Sequence, residues 1–294
     1  AGMAKRNNMV AAGGQRYLVV HEYAGQAYFG WQRQPEELTT VQSVLEKAVS
    51  EFLGTETFIY GSSRTDKGVH ALSNTFHVDI CRKPRLGREQ DVREPYEPVQ
   101  IERAINSRLR KARESVQVTK VIKVEPDFHA RFHAQRRTYF YRIASGFNGH
   151  MSLFHKGQTW NVRQDLDIDL MKKAAKMLQG HHDFSTFRAA GCQQTDPVRT
   201  LKQLDVELHQ QNWPGRYFCD EVTRLQHIII TASAKSFLYH QVRLMVGLLK
   251  AVGAGEIPLD KVPEIIDAKD VTKLYTAMAP AHGLYLASVE YDNF

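Results

Sequence analysis

Two hydrophobic periods run through this chain, and both occur in each half. From Arg16 to Tyr23, apolar and polar positions alternate closely enough for a strand. Val41, Val44, Leu45, Ala48, Val49 and Phe52 then follow the 3.6-residue period of an amphipathic helix. Thr39 with Gln42 predicts a capping box ahead of that helix, and Gly54 predicts its stop. Two strands are expected at about Phe58–Ser62 and Asn74–Ile80. Between Arg82 and Pro98 the chain is rich in Pro, Arg and Glu, carries no core pattern, and reads as an exposed excursion. Ile101, Ala104, Ile105 and Leu109 mark a second helix, and Val116–Val124 alternates as a strand.

The second half has a comparable inventory. Strands are expected at Thr138–Ala144, Leu201–Leu208, Leu225–Ser233 and Leu284–Tyr291. Helices are expected at Ile168–Leu178, with Gly180 just beyond, and at Leu238–Val252, where Leu238, Val242, Met245, Val246 and Leu249 form the stripe. A shorter helix is expected at Leu259–Ala268. Strands and helices mix in both halves, and neighbouring strands look hairpin-like. That combination predicts an α+β fold and argues against a doubly wound parallel sheet. No sequence-level repeat is visible. The segment Ala1 to Gly14 is polar and Gly-containing and expected to be disordered, and Ala1-Gly2 ahead of Met3 is set aside from the fold.

Composition narrows the function classes. At 294 residues, with 43% hydrophobic and 24% charged positions, the chain is long enough for a real core in one two-lobed domain or two small ones. No apolar run approaches the roughly 20 residues of a membrane span. Three cysteines, Cys81, Cys192 and Cys219, are too few and too scattered for a disulfide framework or a CxxC metal site, which suggests a reducing, intracellular compartment. Cytoplasm, nucleus and mitochondrion are not separated by the sequence. His129 and His133 have helical spacing but lack the Glu of a zinc motif, so they read as polar or core histidines.

The balance of 39 Lys+Arg to 32 Asp+Glu gives +7, which suits a polyanionic partner. Arg103, Arg108, Arg110, Lys111 and Arg113 lie on or just after a helix, where a solvated face is an equal reading. Arg131, Arg136 and Arg137 are interleaved with Tyr, Phe and His, a mixture suited to RNA phosphates and unstacked bases.

The stretch with most chemistry is Gly61–His70, Gly-Ser-Ser-Arg-Thr-Asp-Lys-Gly-Val-His. It joins two expected strands, so Arg64 and Asp66 lie on a Gly-bracketed loop at a strand end. If the backbone there is extended, the two share a side, and the guanidinium favours an ionised carboxylate such as a nucleophile or base requires. Taken alone, the pair is equally a turn with a structural ion pair. There is no Rossmann glycine fingerprint and no Walker loop.

The loop resembles the signature of the TruA-type tRNA pseudouridine synthase family, in which Arg-Thr-Asp precedes Gly-Val-His. Other blocks resemble that family in the same order: Tyr28-Phe29-Gly30-Trp31-Gln32-Arg33-Gln34; Asp127-Phe128-His129-Ala130-Arg131-Phe132 followed by Arg136 to Tyr141; Asp183 to Ala189; Phe237 to Arg243; and His282 to Leu286. The resemblance implies a two-lobed α+β fold with mixed and antiparallel sheets. Its two ferredoxin-like (RRM-like) halves are flanked by helices, with a catalytic cleft between them. Residues 1–14 would precede an N-terminal lobe at 15–125 and a C-terminal lobe at 126–294, divided near Glu125-Pro126.

The implied reaction breaks the N-glycosidic bond of a tRNA uridine, turns the base and rejoins it through C5. This is an isomerisation that requires no cofactor and no metal. The target uridine is expected in the anticodon stem-loop, extruded from its stack. The implied nucleophile is Asp66; whether it attacks ribose or uracil, or takes a ribose proton, is left open. Arg64 holds Asp66 ionised or contacts a phosphate, Tyr139 stacks on the target base, and Arg243 faces the carboxylate. Arg131, Arg188 and His70 complete the substrate set, with Arg188 equally a turn residue and His70 equally a loop cap. Trp31 and Tyr28 read as packing residues. Ser62-Ser63 and Lys67 depart from the bacterial pattern and point to a eukaryotic branch. A homodimer is left open. Rival readings are a catalytically silent RNA-binding protein and an N-glycosidase, for which no second carboxylate is evident beyond Asp127 and Asp183, both better read as loop braces.

Overall fold

The structure is a computed structural model that describes residues 14–35, 37–83, 93–146, 156–209 and 226–292. The expected N-terminal disorder, most of the Arg82–Pro98 excursion and Cys219 lie outside those residues. The chain packs as two compact units, 1–135 with 289–294, and 136–288.

In the first unit, β1 (Gly14–Tyr23) runs antiparallel to both β3 (His70–Cys81) and β4 (Val116–Val124), and the short β2 (Tyr60–Gly61) pairs with β3. Helix α1 (Val41–Leu53) packs on α2 (Pro98–Lys111), which packs on β4. The predicted stripes are the buried ones: Val41, Val44, Leu45, Ala48 and Val49 on α1, and Ile101, Ile105 and Leu109 on α2. Each fully buried aliphatic side chain of this kind contributes about 1.5–3 kcal/mol. β1 is central, so Tyr17, Leu18 and Val19 are all buried and the expected alternation is lost there.

This unit does not end at Glu125-Pro126. Residues 126–135 stay with it because the Phe128 carbonyl accepts from Arg16 and the Ala130 N–H donates to His77. Its last piece comes from far along the chain. Tyr291 bonds through its hydroxyl to the Ala130 carbonyl at 2.8 Å and to Thr75 Oγ1 at 2.6 Å, and Gln135 N–H donates to the Glu290 carbonyl.

In the second unit, β5 (Arg136–Ser145), β9 (Gln226–Ala234), β8 (Val198–Leu208) and β7 (Gly180–Asp183) are successive antiparallel neighbours. β10 (Leu284–Glu290) lies beside β5, and β6 (Trp160–Val162) pairs parallel with β5. Helix α3 (Ile168–Leu178) packs on β8 and on α4 (Gln241–Gly253), and α5 (Val262–Asp267) is a short addition. The mixed α+β class expected from sequence is therefore observed. Among the described residues no helix is long and apolar enough to cross a membrane.

Several boundaries differ from the sequence expectation, each for a local reason. The capping box of α1 is Thr40 with Ser43, whose side chains bond each other's backbone N–H. Gln42 instead accepts from Arg33 N–H and donates to Glu46. Helix α4 starts at Gln241 because His240 takes a left-handed conformation (φ 63°) and Gln241 Oε1 accepts from Leu238 N–H. Leu259–Lys261 forms a 3-10 turn before α5. Only two residues of the expected Phe58–Ser62 strand pair in the sheet.

Candidate active site

The Gly61–His70 loop is fixed largely through its backbone. Ser62 N–H donates to the Thr75 carbonyl (2.9 Å), Trp31 N–H to Thr65 (3.0 Å), and Val69 N–H to Asp66 (3.1 Å). Asn74 Nδ2 donates to the Ser63 carbonyl, while Tyr23 and Thr65 share a hydroxyl–hydroxyl bond of 2.7 Å. Helix α1 supports this from behind: its first two N–H groups, of Val41 and Gln42, donate to the carbonyls of Gly30 and Trp31. Such bonds satisfy donors a helix start leaves unpaired, and they tie the loop to a rigid element.

Two glycines are required here. Gly30 has φ +95°, and a Cβ on it would lie 3.0 Å from the Thr65 carbonyl oxygen. A Cβ on Gly61 would fall 2.5–2.6 Å from three atoms of the Trp31 indole.

Burial alternates along the loop. Ser63 and Thr65 are buried, Arg64 is exposed and Asp66 half-buried. Arg64 and Asp66 thus lie on the more open side of the loop, away from its packed face. Crowding of the Arg64 guanidinium, and then the positive charge of Arg131, hold its pKa below the ordinary value. Two guanidiniums that oppose each other in this way form a ready site for an anion. His70 is only 3% exposed, and its Nδ1 accepts from Gly25 N–H at 3.2 Å, which makes it a brace beneath the loop.

Beside Arg131 runs a series of rings. Tyr60 stacks on His77 (5.0 Å between centroids), His77 meets His129 edge-on (4.6 Å), and His129 meets Phe132 (4.3 Å), which is 68% exposed. Burial, followed by the charges of His129, Arg16 and His133, pushes His77 down to about 3 and so keeps it neutral. Burial and the cations Arg16, His133 and Arg131 likewise lower His129. His129 N–H donates to His133 Nδ1, so that pair is engaged within its own turn. Arg16 underlies the cluster. It is 2% exposed, meets Asp79 in a two-pronged ion pair (2.6 and 2.7 Å), and donates its remaining arm to the Phe128 carbonyl.

In the second unit, Arg137, Tyr139 and Tyr141 are the buried, alternating positions of β5. The Tyr139 ring meets Phe237 edge-on at 5.3 Å. Tyr141 donates to the Pro280 carbonyl (2.7 Å), and burial drives its pKa well up, opposed by the nearby charge of Arg243. Arg243 also helps lower His282, after burial. Its Nε donates to the Ala279 carbonyl while Ala279 N–H donates back to the Arg243 carbonyl, which locks the first turn of α4 to that segment. Arg243 and Tyr141 are therefore neighbours, with Tyr139 on the same face of β5.

Arg188 follows a 3-10 turn (Ser185–Phe187) that Asp183 caps by accepting from the Ser185 N–H and hydroxyl. Asp183 is thus the loop brace it reads as in sequence. Arg188 donates to the Cys192 carbonyl and lines a cavity of about 360 Å³ with Ser185, Cys192 and Lys269. Sequence reasoning missed the part played by Arg16, His77 and Gly61; only the Gly at a strand end was a usable signal.

The family model described as "tRNA pseudouridine synthase" matches residues 19–133 and 174–292. A tRNA pseudouridine synthase A of Agrobacterium fabrum is 40% identical over 279 residues, covering 95% of this chain and 93% of its own. The proteins of that name from Methylobacterium nodulans and Maricaulis maris are 39% and 37% identical over 278 residues, each covering 95% of this chain and 96% and 98% of their own. All three are bacterial, so they lend no support to the eukaryotic branch suggested by Ser62, Ser63 and Lys67.

Proposed function

Because the chain belongs to the tRNA pseudouridine synthase family, we propose that it isomerises uridine to pseudouridine in tRNA with Asp66 as nucleophile. The observation that carries the assignment is the placement of Asp66. It is half-buried, its carbonyl accepts from Val69 N–H while the preceding Thr65 carbonyl accepts from Trp31 N–H, and two residues away is an Arg64 that feels a second guanidinium.

A nucleophile needs a fixed approach, and the braced loop supplies one. Arg64 and Arg131 take the phosphate next to the target, because an arriving anion relieves the repulsion between the two guanidiniums. The carboxylate adds to the nucleoside and the N-glycosidic bond breaks. The freed uracil turns and rejoins through C5 as the bond to Asp66 breaks; the C5 proton leaves and N1, no longer glycosylated, takes up a proton. Nothing is oxidised or reduced, and the ring atoms are conserved. Tyr139 takes the face of the base as it turns, and Arg243 supplies positive charge to the same substrate. Arg188 and its cavity bind RNA outside the reacting nucleotide. The target uridine lies in the anticodon stem-loop, where extrusion from the stack costs a few kcal/mol that stacking and phosphate contacts offset.

The test is Asp66→Asn, which keeps size and removes the charge. Pseudouridine formation on an unmodified tRNA transcript is expected to vanish while tRNA affinity stays within a few-fold. Turnover near the wild-type rate would refute the assignment, and mapping the modified position tests the anticodon-arm placement separately.

A further inference from the structure

Lys67 follows Asp66 directly, so its Cα lies about 3.8 Å from that of the proposed nucleophile. It is exposed, and it has no carboxylate partner among the described residues. Its ammonium rests 3.9 Å from the centroid of the Phe29 ring. A comparable cation–ring pair in the same unit, Arg33 over Phe58, behaves differently, because Arg33 is neutralised by an ion pair with Glu46. Of these two cations Lys67 is the one with no carboxylate partner among the described residues, and a cation–π contact at an exposed site is weak enough to yield to a phosphate.

Phe29 is 38% exposed, unusual for a large aromatic, yet its backbone is held at both ends. Its N–H donates to the Thr39 carbonyl (2.9 Å), and its own carbonyl accepts from Gln34 Nε2 (2.7 Å). The next residue is Gly30, whose backbone approaches the Asp66 loop so closely that a Cβ there would lie 3.0 Å from the Thr65 carbonyl oxygen and 3.3 Å from the Lys67 nitrogen. A part-exposed ring beside an exposed cation is the combination by which single-stranded nucleic acid is commonly gripped, by stacking and by charge together.

We propose that Lys67 and Phe29 form a second grip on the RNA strand beside Asp66. Lys67 leaves the ring to pair with a phosphate flanking the target nucleotide, and the uncovered Phe29 stacks on an adjacent unpaired base. The inference rests on Asp66 being the residue that meets the target.

The experiment measures tRNA affinity against salt concentration, and KM and kcat, for wild type, Lys67→Gln, Lys67→Arg and Phe29→Leu, with Asp66→Asn alongside. Lys67→Gln is expected to lower the slope of log K on log salt by about 0.7–1, the loss of one phosphate contact, and to raise KM more than it lowers kcat. Lys67→Arg keeps the wild-type slope. Phe29→Leu weakens affinity several-fold with the slope unchanged. A wild-type slope in Lys67→Gln, or a slope lost equally in Lys67→Arg, overturns the inference. If Asp66→Asn still makes pseudouridine, the site assignment itself has failed. If Asp66→Asn is inactive and the Lys67→Gln slope is unchanged, only this second grip has failed.

Discussion

Replacing Asp79 by Asn tests whether the buried arginine beneath the Tyr60–His77–His129 cluster is held by charge. Arg16 is 2% exposed and uses both prongs of its fork on Asp79, which is its cross-strand partner in the β1–β3 ladder. Removing one member of a fully buried pair costs roughly 3–5 kcal/mol, because the other charge is left uncompensated. Asp79 is 34% exposed, so water softens the loss, and Asn retains one acceptor for the guanidinium. The working figure is therefore about 2–3 kcal/mol. With a urea m-value of roughly 3 kcal/mol/M, the unfolding midpoint of the first unit moves down by about 0.8 M. The assay follows Trp31 fluorescence in a background where Trp160 and Trp213 are Phe, since Trp31 is buried in this unit. Combining Arg16→Met with Asp79→Leu restores more than half of the lost stability, because neither charge then remains. A midpoint shift below about 0.2 M in Asp79→Asn, or a double variant less stable than the single, refutes the reasoning.

Two further outcomes follow from the same unit. Gly61→Ala drives a methyl group into the Trp31 indole, an overpacking cost of about 1–3 kcal/mol, and lowers Tm by roughly 5 °C with a larger loss of activity than of stability. In a Trp31→Leu background the same change costs less; equal cost in both backgrounds counts against the contact. The other concerns His21, whose burial among Tyr23, Trp31 and Phe76 pushes its pKa down to about 3. Between there and its ordinary 6.5 the unfolded chain holds a proton that the folded chain lacks. Stability therefore rises with pH through that window and is lost as pH falls. Measured from pH 5 to 6.5, where carboxylates contribute little, His21→Leu reduces the slope by about 1 kcal/mol per pH unit, and an unchanged slope contradicts the neutral-core account.

Helices were more legible in the sequence than strands, for a physical reason. The stripes on α1 and α2 appear where periodicity places them, since each helix buries one face and an apolar stripe records that face directly. β1 is buried on both faces at its centre, so its alternation carries no face information, and β6 and β7 are too short to show a period. Cap chemistry was misplaced by one residue at α1, because Thr39 and Thr40 both have a capping hydroxyl and only the backbone selects between them. In the candidate site, the loop carrying Arg64 and Asp66 was evident from its glycines and charges. The support beneath it was not: Arg16, Asn74, His77 and Trp31 act through contacts with residues distant in sequence, and nothing local marks a buried arginine as different from an exposed one. His70 looked like a substrate contact for the same reason.

The return of Tyr291 to Ala130 and Thr75 has a consequence for biosynthesis. A domain whose last hydrogen-bonding residue is synthesised after the whole of its neighbour cannot finish folding as it leaves the ribosome. The 126–135 segment, already tied to Arg16 and His77, gains its remaining hydrogen bonds only when residues 289–292 emerge. A product that stops short of Tyr291 then lacks hydrogen bonds in the unit made earliest.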